Sequence, residues 1–306
     1  MNKKLKKEIR HRIEYVCVLV IVQLVRLMSL KTMLRFAQGF GSLAFSLVKV
    51  RRKTVLKNLQ AAFPEKNEAE LTSIAKRTYQ NFAKMAFEYI SFPKLSREDV
   101  LARCEIQNRE HLDWLLENGK GGVLVAGHFG NWELMGAALA QLGYPIYFLV
   151  GKQHNRYVDN MMNKHREMMG IKIIHMGVAV RGVIKALRNN GFVALLSDQN
   201  AKTDGVFVDF FGRPASTPQG PAVFALRTGA PIILGSAIRL PGGKHRLNME
   251  LITHEHLTGG VTEENIKTLT QIYTSKLEEK IREYPDHWFW MHKRWKTRPP
   301  GERKKV

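Results

Sequence analysis

Cysteine is nearly absent from this chain of 306 residues, which holds only Cys17 and Cys104. One lies in an apolar run and the other in a polar segment, so no disulfide framework is expected and a reducing compartment fits. Acidic residues are also scarce, 27 against 48 Lys plus Arg, for a net charge of +21. A hydrophobic content of 44% excludes a disordered polycation. What remains is a folded protein with a strongly positive surface, whose partners would be nucleic acid, anionic lipid or an acidic protein. There is no internal repeat, no low-complexity segment and no G-x-S-x-G nucleophile elbow. The length allows one large domain or two small ones.

A long apolar run free of charge is missing as well. Residues 15 to 34 come nearest, but they carry Arg26 and Lys31. That stretch just reaches the roughly 20 residues a spanning helix needs. A second apolar stretch, 36 to 50, ends in KVRRK. No small-residue cleavage site follows, which argues against a signal peptide. Basic clusters on both sides leave the orientation unspecified. The expected arrangement for residues 1–50 is a membrane anchor, with one helix spanning or lying deep and then an amphipathic helix at the interface. The alternative is an ordinary buried helix pair with solvated basic faces.

From residue 122 onward, short apolar runs alternate with helical segments. Strands are expected at 123–126, 145–150, 171–174, 192–196, 231–238 and 247–253. Helices are expected at 131–142, 157–169, 181–190, 221–227 and 262–284. This alternation predicts an α/β fold with a mixed, largely parallel central sheet flanked by helices, carried by residues 51–298. Residues 299–306 read as a basic, flexible tail.

The stretch GGVLVAGHFGNWEL (121–134) carries the candidate chemistry. If the strand ends near Ala126, His128 stands at its carboxyl edge, where open α/β sheets bind ligands. Five helical steps would part His128 from Glu133, so the histidine belongs in the turn and the glutamate on the following helix. Glu133 could then fold back, fix the imidazole tautomer and stabilise the imidazolium, leaving the other ring nitrogen for a substrate hydroxyl. No Ser or Cys nucleophile accompanies the pair. The spacing H-x-x-x-x-E alone is a weak pattern and fits a turn histidine bonded to backbone at least as well.

Four blocks together resemble the late acyltransferases of lipid A biosynthesis, within the lysophospholipid acyltransferase superfamily. They are VRRKTVLKNLQAAFPE (50–65), GHFGNWE (127–133), LLSDQNAKTDGVFVDFFGRPASTPQGPAVFALRTGAPII (195–233) and YPDHWFWMHKRWKTRP (284–299). The resemblance covers nearly the whole chain in order. It implies an enzyme at the cytoplasmic face of the bacterial inner membrane, moving a fatty acyl chain from an acyl carrier protein thioester to a hydroxyl of a lipid A precursor. It implies no metal or organic cofactor. The rival from another class is a basic nucleic-acid-binding module; the expected anchor, the absence of a nucleic-acid motif and the H-x-x-x-x-E site all speak against it and for no nucleic-acid partner. His128 would carry over as general base and Glu133 as its partner. A phosphatidylinositol mannoside or lysophospholipid acceptor fits the same core.

Arg166, late in a helix, could clamp a phosphate bidentately or sit as a surface charge favoured by the helix dipole. Asp198, just past the strand 192–196, could face the same cleft and orient Arg166, or cap a loop. Asn155 is expected to cap the helix that follows it. His254 and His256 make at most half of a metal site. The segment WFWMHKRW (288–295) is expected near a membrane interface, with Lys293 and Arg294 toward lipid phosphate.

Overall fold

The computed structural model describes residues 3–301. In chain order the main elements are α1 (Lys3–Arg26), α2 (Leu30–Leu43), α3 (Arg52–Ala62), α4 (Glu68–Ile90), α5 (Arg97–Leu101), β1 (Cys104–Gln107) and α6 (Arg109–Glu117). Next come β2 (Gly122–Gly130), α7 (Trp132–Gln141), β3 (Ile146–Val150), α8 (Arg156–Met168), β4 (Lys172–His175), α9 (Ala179–Arg188) and β5 (Phe192–Leu196). The chain closes with β6 (Val206–Asp209), β7 (Pro214–Thr217), α10 (Gly220–Thr228), β8 (Ile232–Arg239), β9 (His245–Ile252) and α11 (Glu263–Glu283).

Seven strands form one sheet in the order β1-β9-β8-β2-β5-β3-β4, and β6 pairs with β7 in a separate antiparallel hairpin. Strands β8, β2, β5, β3 and β4 run parallel; β9 lies antiparallel to β8, and β1 follows β9. The expected α/β architecture with a largely parallel sheet is therefore present. Along β2 the side chains alternate between two cores, as the pleat requires. Leu124 and Ala126 pack with α6 and α7, whereas Val123 and Val125 pack with α9, α10 and α11. Covering both faces explains why the strand reads as a near-continuous apolar run.

The N-terminal expectation is corrected in one respect. No helix among the described residues is long and apolar enough to cross a membrane. The apolar run 15–34 does not form one helix: α1 stops at Arg26, and Ser29 caps α2 by accepting from the Thr32 amide. One side of α1 is also tied to α8, where Asn155 donates to the His11 carbonyl and to Glu14, and Tyr15 stacks on Tyr157. Helix α2 buries Met33, Ala37 and Gly41. A Cβ at Gly41 would lie 2.6 Å from the Tyr79 carbonyl oxygen, so glycine is what lets α2 approach α4 so closely. The outer flank stays apolar: Ile13, Val16, Val20, Leu24, Phe36 and Phe40 are all more than half exposed. Of the tail expected at 299–306, residues 302–306 lie outside the described residues.

Candidate active site

The site is built on a break in the β2–β8 ladder. Ala126 pairs with Gly235 and Gly130 pairs with Ala237, so four steps on β2 match two on β8. The surplus residues bulge out, and bulges re-aim side chains. Gly130 closes the bulge at φ +61°, and a Cβ there would sit 1.5 Å from the Ala237 oxygen, which no other residue could accommodate. His128 lies at the bulge, inside β2 rather than in a turn beyond Ala126 as the sequence suggests. Its carbonyl accepts from the Phe289 amide, which fixes it from the closing segment of the chain.

The neighbouring parallel strand supplies the partner. Ala126 is in register with Leu196 of β5, so Asp198 emerges two residues beyond β5 just as His128 emerges from β2. The Asp198 carboxylate accepts from His128 Nδ1 at 2.7 Å, from the His128 backbone amide at 2.8 Å and from Trp288 Nε1 at 2.7 Å. Burial opposes the charge on Asp198, but His128 and these donors outweigh it and hold the carboxyl below its ordinary range. Burial likewise opposes a charged His128, yet the field and hydrogen bond of Asp198, with a smaller contribution from Glu133, hold the imidazole above its ordinary value. With Nδ1 donating to the carboxylate, the neutral ring presents the Nε2 lone pair. The Gln199 amide lies 3.3 Å from that nitrogen, and Trp132 packs edge-on against the ring.

The partners expected from the sequence are thus exchanged. Glu133 makes no hydrogen bond to His128. It receives the Arg166 guanidinium as a fork, Nε to Oε2 at 3.0 Å and Nη2 to Oε1 at 2.5 Å. Asp198, expected to orient Arg166, braces the histidine. Glu133 turns away because it occupies the first turn of α7, whose N-cap, Asn131, accepts from the Leu134 amide. That cap is itself held: Asn131 Nδ2 donates to Glu88, which also takes a bidentate grip from Arg239.

All four candidate residues still converge. His128, Glu133 and Arg166 line one cavity of about 410 Å³, and Asp198 stands behind the histidine. The remaining walls are largely apolar, from Trp132, Phe148, Val150, Met162, Ala194 and Leu196. Such a cavity, greasy with a few convergent polar groups, suits a hydrocarbon chain ending at a reactive centre.

Sequence reasoning missed the closing segment. Trp288, Trp290 and Arg294 are almost fully buried, not set at an interface. Trp288 bonds Asp198, while Arg294 donates to the Ser216 carbonyl and the Thr217 hydroxyl, anchoring the β6–β7 hairpin. Burial, only partly opposed by Asp198, lowers the Arg294 pKa to about 10. Four aromatics around two cations were the signal of a packed corner, but nothing local distinguished that from an interfacial belt. Asn155 does cap α8, accepting from the Tyr157 amide. His254 bonds the Ala230 carbonyl, and among the described residues no group of three or more His, Cys, Asp or Glu could hold a metal ion.

Comparison with known proteins identifies the family. The family model described as bacterial lipid A biosynthesis acyltransferase matches residues 2–297. The lipid A biosynthesis lauroyltransferase of Escherichia coli K12 is 26% identical over 276 residues, covering 87% of this chain and 86% of that protein. The myristoyltransferase of the same strain is 25% identical, covering 86% and 80%. A phosphatidylinositol mannoside acyltransferase of Mycobacterium tuberculosis is 27% identical over 228 residues, covering 71% and 68%. The chain is an acyltransferase and belongs to the bacterial lipid A biosynthesis acyltransferase family.

Proposed function

We propose that this enzyme moves a fatty acyl chain from an acyl carrier protein thioester to a hydroxyl of a lipid A precursor, with His128 as general base. The observation that carries the reading is the imidazole at the cavity wall, braced from behind by a buried carboxylate. Nε2 takes the proton of the acceptor hydroxyl as its oxygen attacks the thioester carbonyl carbon. The carbon–sulfur bond of the tetrahedral intermediate then breaks, and the imidazolium returns its proton to the departing sulfur, releasing a free thiol. Asp198 stabilises the imidazolium between these transfers. The Glu133–Arg166 pair forms the polar wall of the cavity, with the guanidinium near the developing oxyanion and the first amides of α7 beside it. The apolar walls hold the acyl chain.

In this reading the exposed apolar flank of α1 and α2 rests on the cytoplasmic face of the bacterial inner membrane, embedded at the interface rather than crossing it. Residues 1–50 act as the membrane-facing unit and 51–298 as the catalytic one. The excess of basic residues attracts both an anionic bilayer and an acidic carrier protein.

A second acceptor, a phosphatidylinositol mannoside, is favoured by the mycobacterial relatives. One experiment separates the two. Purified enzyme is incubated with acyl carrier thioesters of several chain lengths and either a tetra-acylated lipid A precursor or a phosphatidylinositol mannoside. Mass spectrometry is expected to show one added acyl chain on the lipid A precursor. Acylation of the mannoside alone would replace the acceptor, and acylation of neither would overturn the reading.

A further inference from the structure

A second cavity, of about 500 Å³, opens between α2, α4 and the turn joining β8 to β9. Its apolar part comes from Leu30, Leu34 and Leu240. Its charged part is entirely cationic: Lys31, Arg35, Lys84 and Arg239 line it, and no carboxylate does. Arg239 is already committed to Glu88, at 2.7 and 2.6 Å. The other three make no hydrogen bond or salt bridge among the described residues. Lys84 is the informative one, because it is half-buried. Burial, and then the charge of Arg239, push its ammonium below the ordinary lysine range, with Glu88 and Asp286 only partly opposing. Holding a desolvated, unpaired ammonium beside other cations costs stability unless an anion completes the site.

The groove is also close to the chemistry. Strand β8 ends at Arg239 on the same sheet edge at which β2 ends beside His128. Glu88 joins the two, accepting from Arg239 on the groove side and from Asn131 on the active-site side.

We propose that this groove is a binding subsite for a phosphate ester carried by a lipid. The cations take the phosphate oxygens and the leucines take the adjoining hydrocarbon or sugar face. The phosphate belongs either to the glycolipid acceptor or to a phospholipid of the surrounding bilayer. The inference rests on the reading that the enzyme works on a membrane-borne glycolipid.

The test uses the full-length protein, Lys84→Met, the double variant Lys31→Gln/Arg35→Gln, and a control, Lys185→Gln/Arg188→Gln. The control removes two exposed charges from α9, next to the opposite edge of the sheet. One arm measures sedimentation with phosphatidylcholine vesicles with and without phosphatidate. The other measures acyl transfer in neutral detergent with intact and phosphatase-treated acceptor. Each groove cation removed is expected to weaken one of these by about fivefold, beyond any loss in the control. A loss of phosphatidate-dependent sedimentation identifies bilayer phospholipid. A rise in KM for intact acceptor alone, with kcat kept, identifies the acceptor's own phosphate. Lys84→Met should melt no lower than wild type, since it removes an unpaired, half-buried charge, and the surface pair keeps the test valid if it does. Groove variants that match the control in both arms overturn the inference. Failure of the wild type to transfer any acyl chain overturns the functional reading instead, and the sedimentation arm still decides the groove.

Discussion

Asp198 reaches His128 from the adjacent parallel strand and engages it twice, through the ring Nδ1 at 2.7 Å and through the backbone amide at 2.8 Å. A single carboxylate thus sets both the tautomer of the imidazole and the shape of the bulge that presents it. A third donor, Trp288, locks the carboxylate in place.

Asp198→Asn is expected to remove the charge that holds the imidazole pKa up. The base must be neutral to act, so wild-type kcat/KM rises with pH through a value above the ordinary histidine pKa of about 6.5. In the variant that acid limb moves to lower pH, while the plateau falls by about 10²–10⁴-fold as orientation is lost. A pH–rate profile of both proteins checks it; an unmoved limb would remove Asp198 from the mechanism.

Glu133→Gln should behave differently. It leaves the Arg166 guanidinium buried without its carboxylate, a change that typically costs about 3–5 kcal/mol. Activity drops as the polar wall loosens, but the acid limb shifts far less than in Asp198→Asn, because Glu133 is the smaller influence on His128. Thermal melts and the same profile separate the two carboxylates; equal shifts would restore Glu133 as a direct partner.

The His128–Asp198 pair also makes stability depend on pH. His128 has a raised folded pKa, so its contribution is fully present below the unfolded value and is lost as pH rises through the folded one. Asp198 has a depressed folded pKa, so its contribution is present above the unfolded value and is lost as pH falls through the folded one. The melting-temperature gap between wild type and His128→Gln should therefore be wider at pH 5 than at pH 9. A gap that widened toward pH 9 would contradict the assigned directions.

Ala194 sits on the cavity wall at the centre of β5. Ala194→Leu adds bulk there and is expected to shift preference toward shorter acyl donors, at a stability cost of about 1–3 kcal/mol. Competition between acyl carrier thioesters, read by product mass, checks it. An unchanged preference would place the acyl chain elsewhere.

Val16 and Val20 are each more than half exposed on α1. Val16→Ser/Val20→Ser should weaken sedimentation with vesicles while leaving the melting temperature and activity on detergent-dispersed acceptor nearly unchanged. Undiminished sedimentation would move the membrane contact off this flank.

Much of this architecture is legible in the sequence because local periodicity encodes it. The strands at 146–150 and 192–196, the helix after His128 and the position of His128 at a strand's carboxyl edge all follow from apolar spacing and turn residues. The exchange of partners does not. Which carboxylate meets His128 depends on β5 lying beside β2, and strand order is a long-range property that spacing does not contain. Glu133 is nearer in sequence, but in the first turn of α7 it meets Arg166 of α8 instead. The burial of Trp288 and Arg294 is similarly non-local, since their partners lie 90 and 78 residues away. The N-terminal run misled for a simpler reason: composition counts apolar residues, whereas Ser29 interrupts them with a cap.

The central claim is that the imidazole of His128 deprotonates the acceptor hydroxyl. Its most direct test is acyl transfer by His128→Ala, followed by mass spectrometry with carrier-borne thioester and lipid A precursor, alongside circular dichroism to verify the fold. The account predicts a folded protein whose transfer rate has fallen by about 10²-fold or more. A folded variant turning over at the wild-type rate would contradict it.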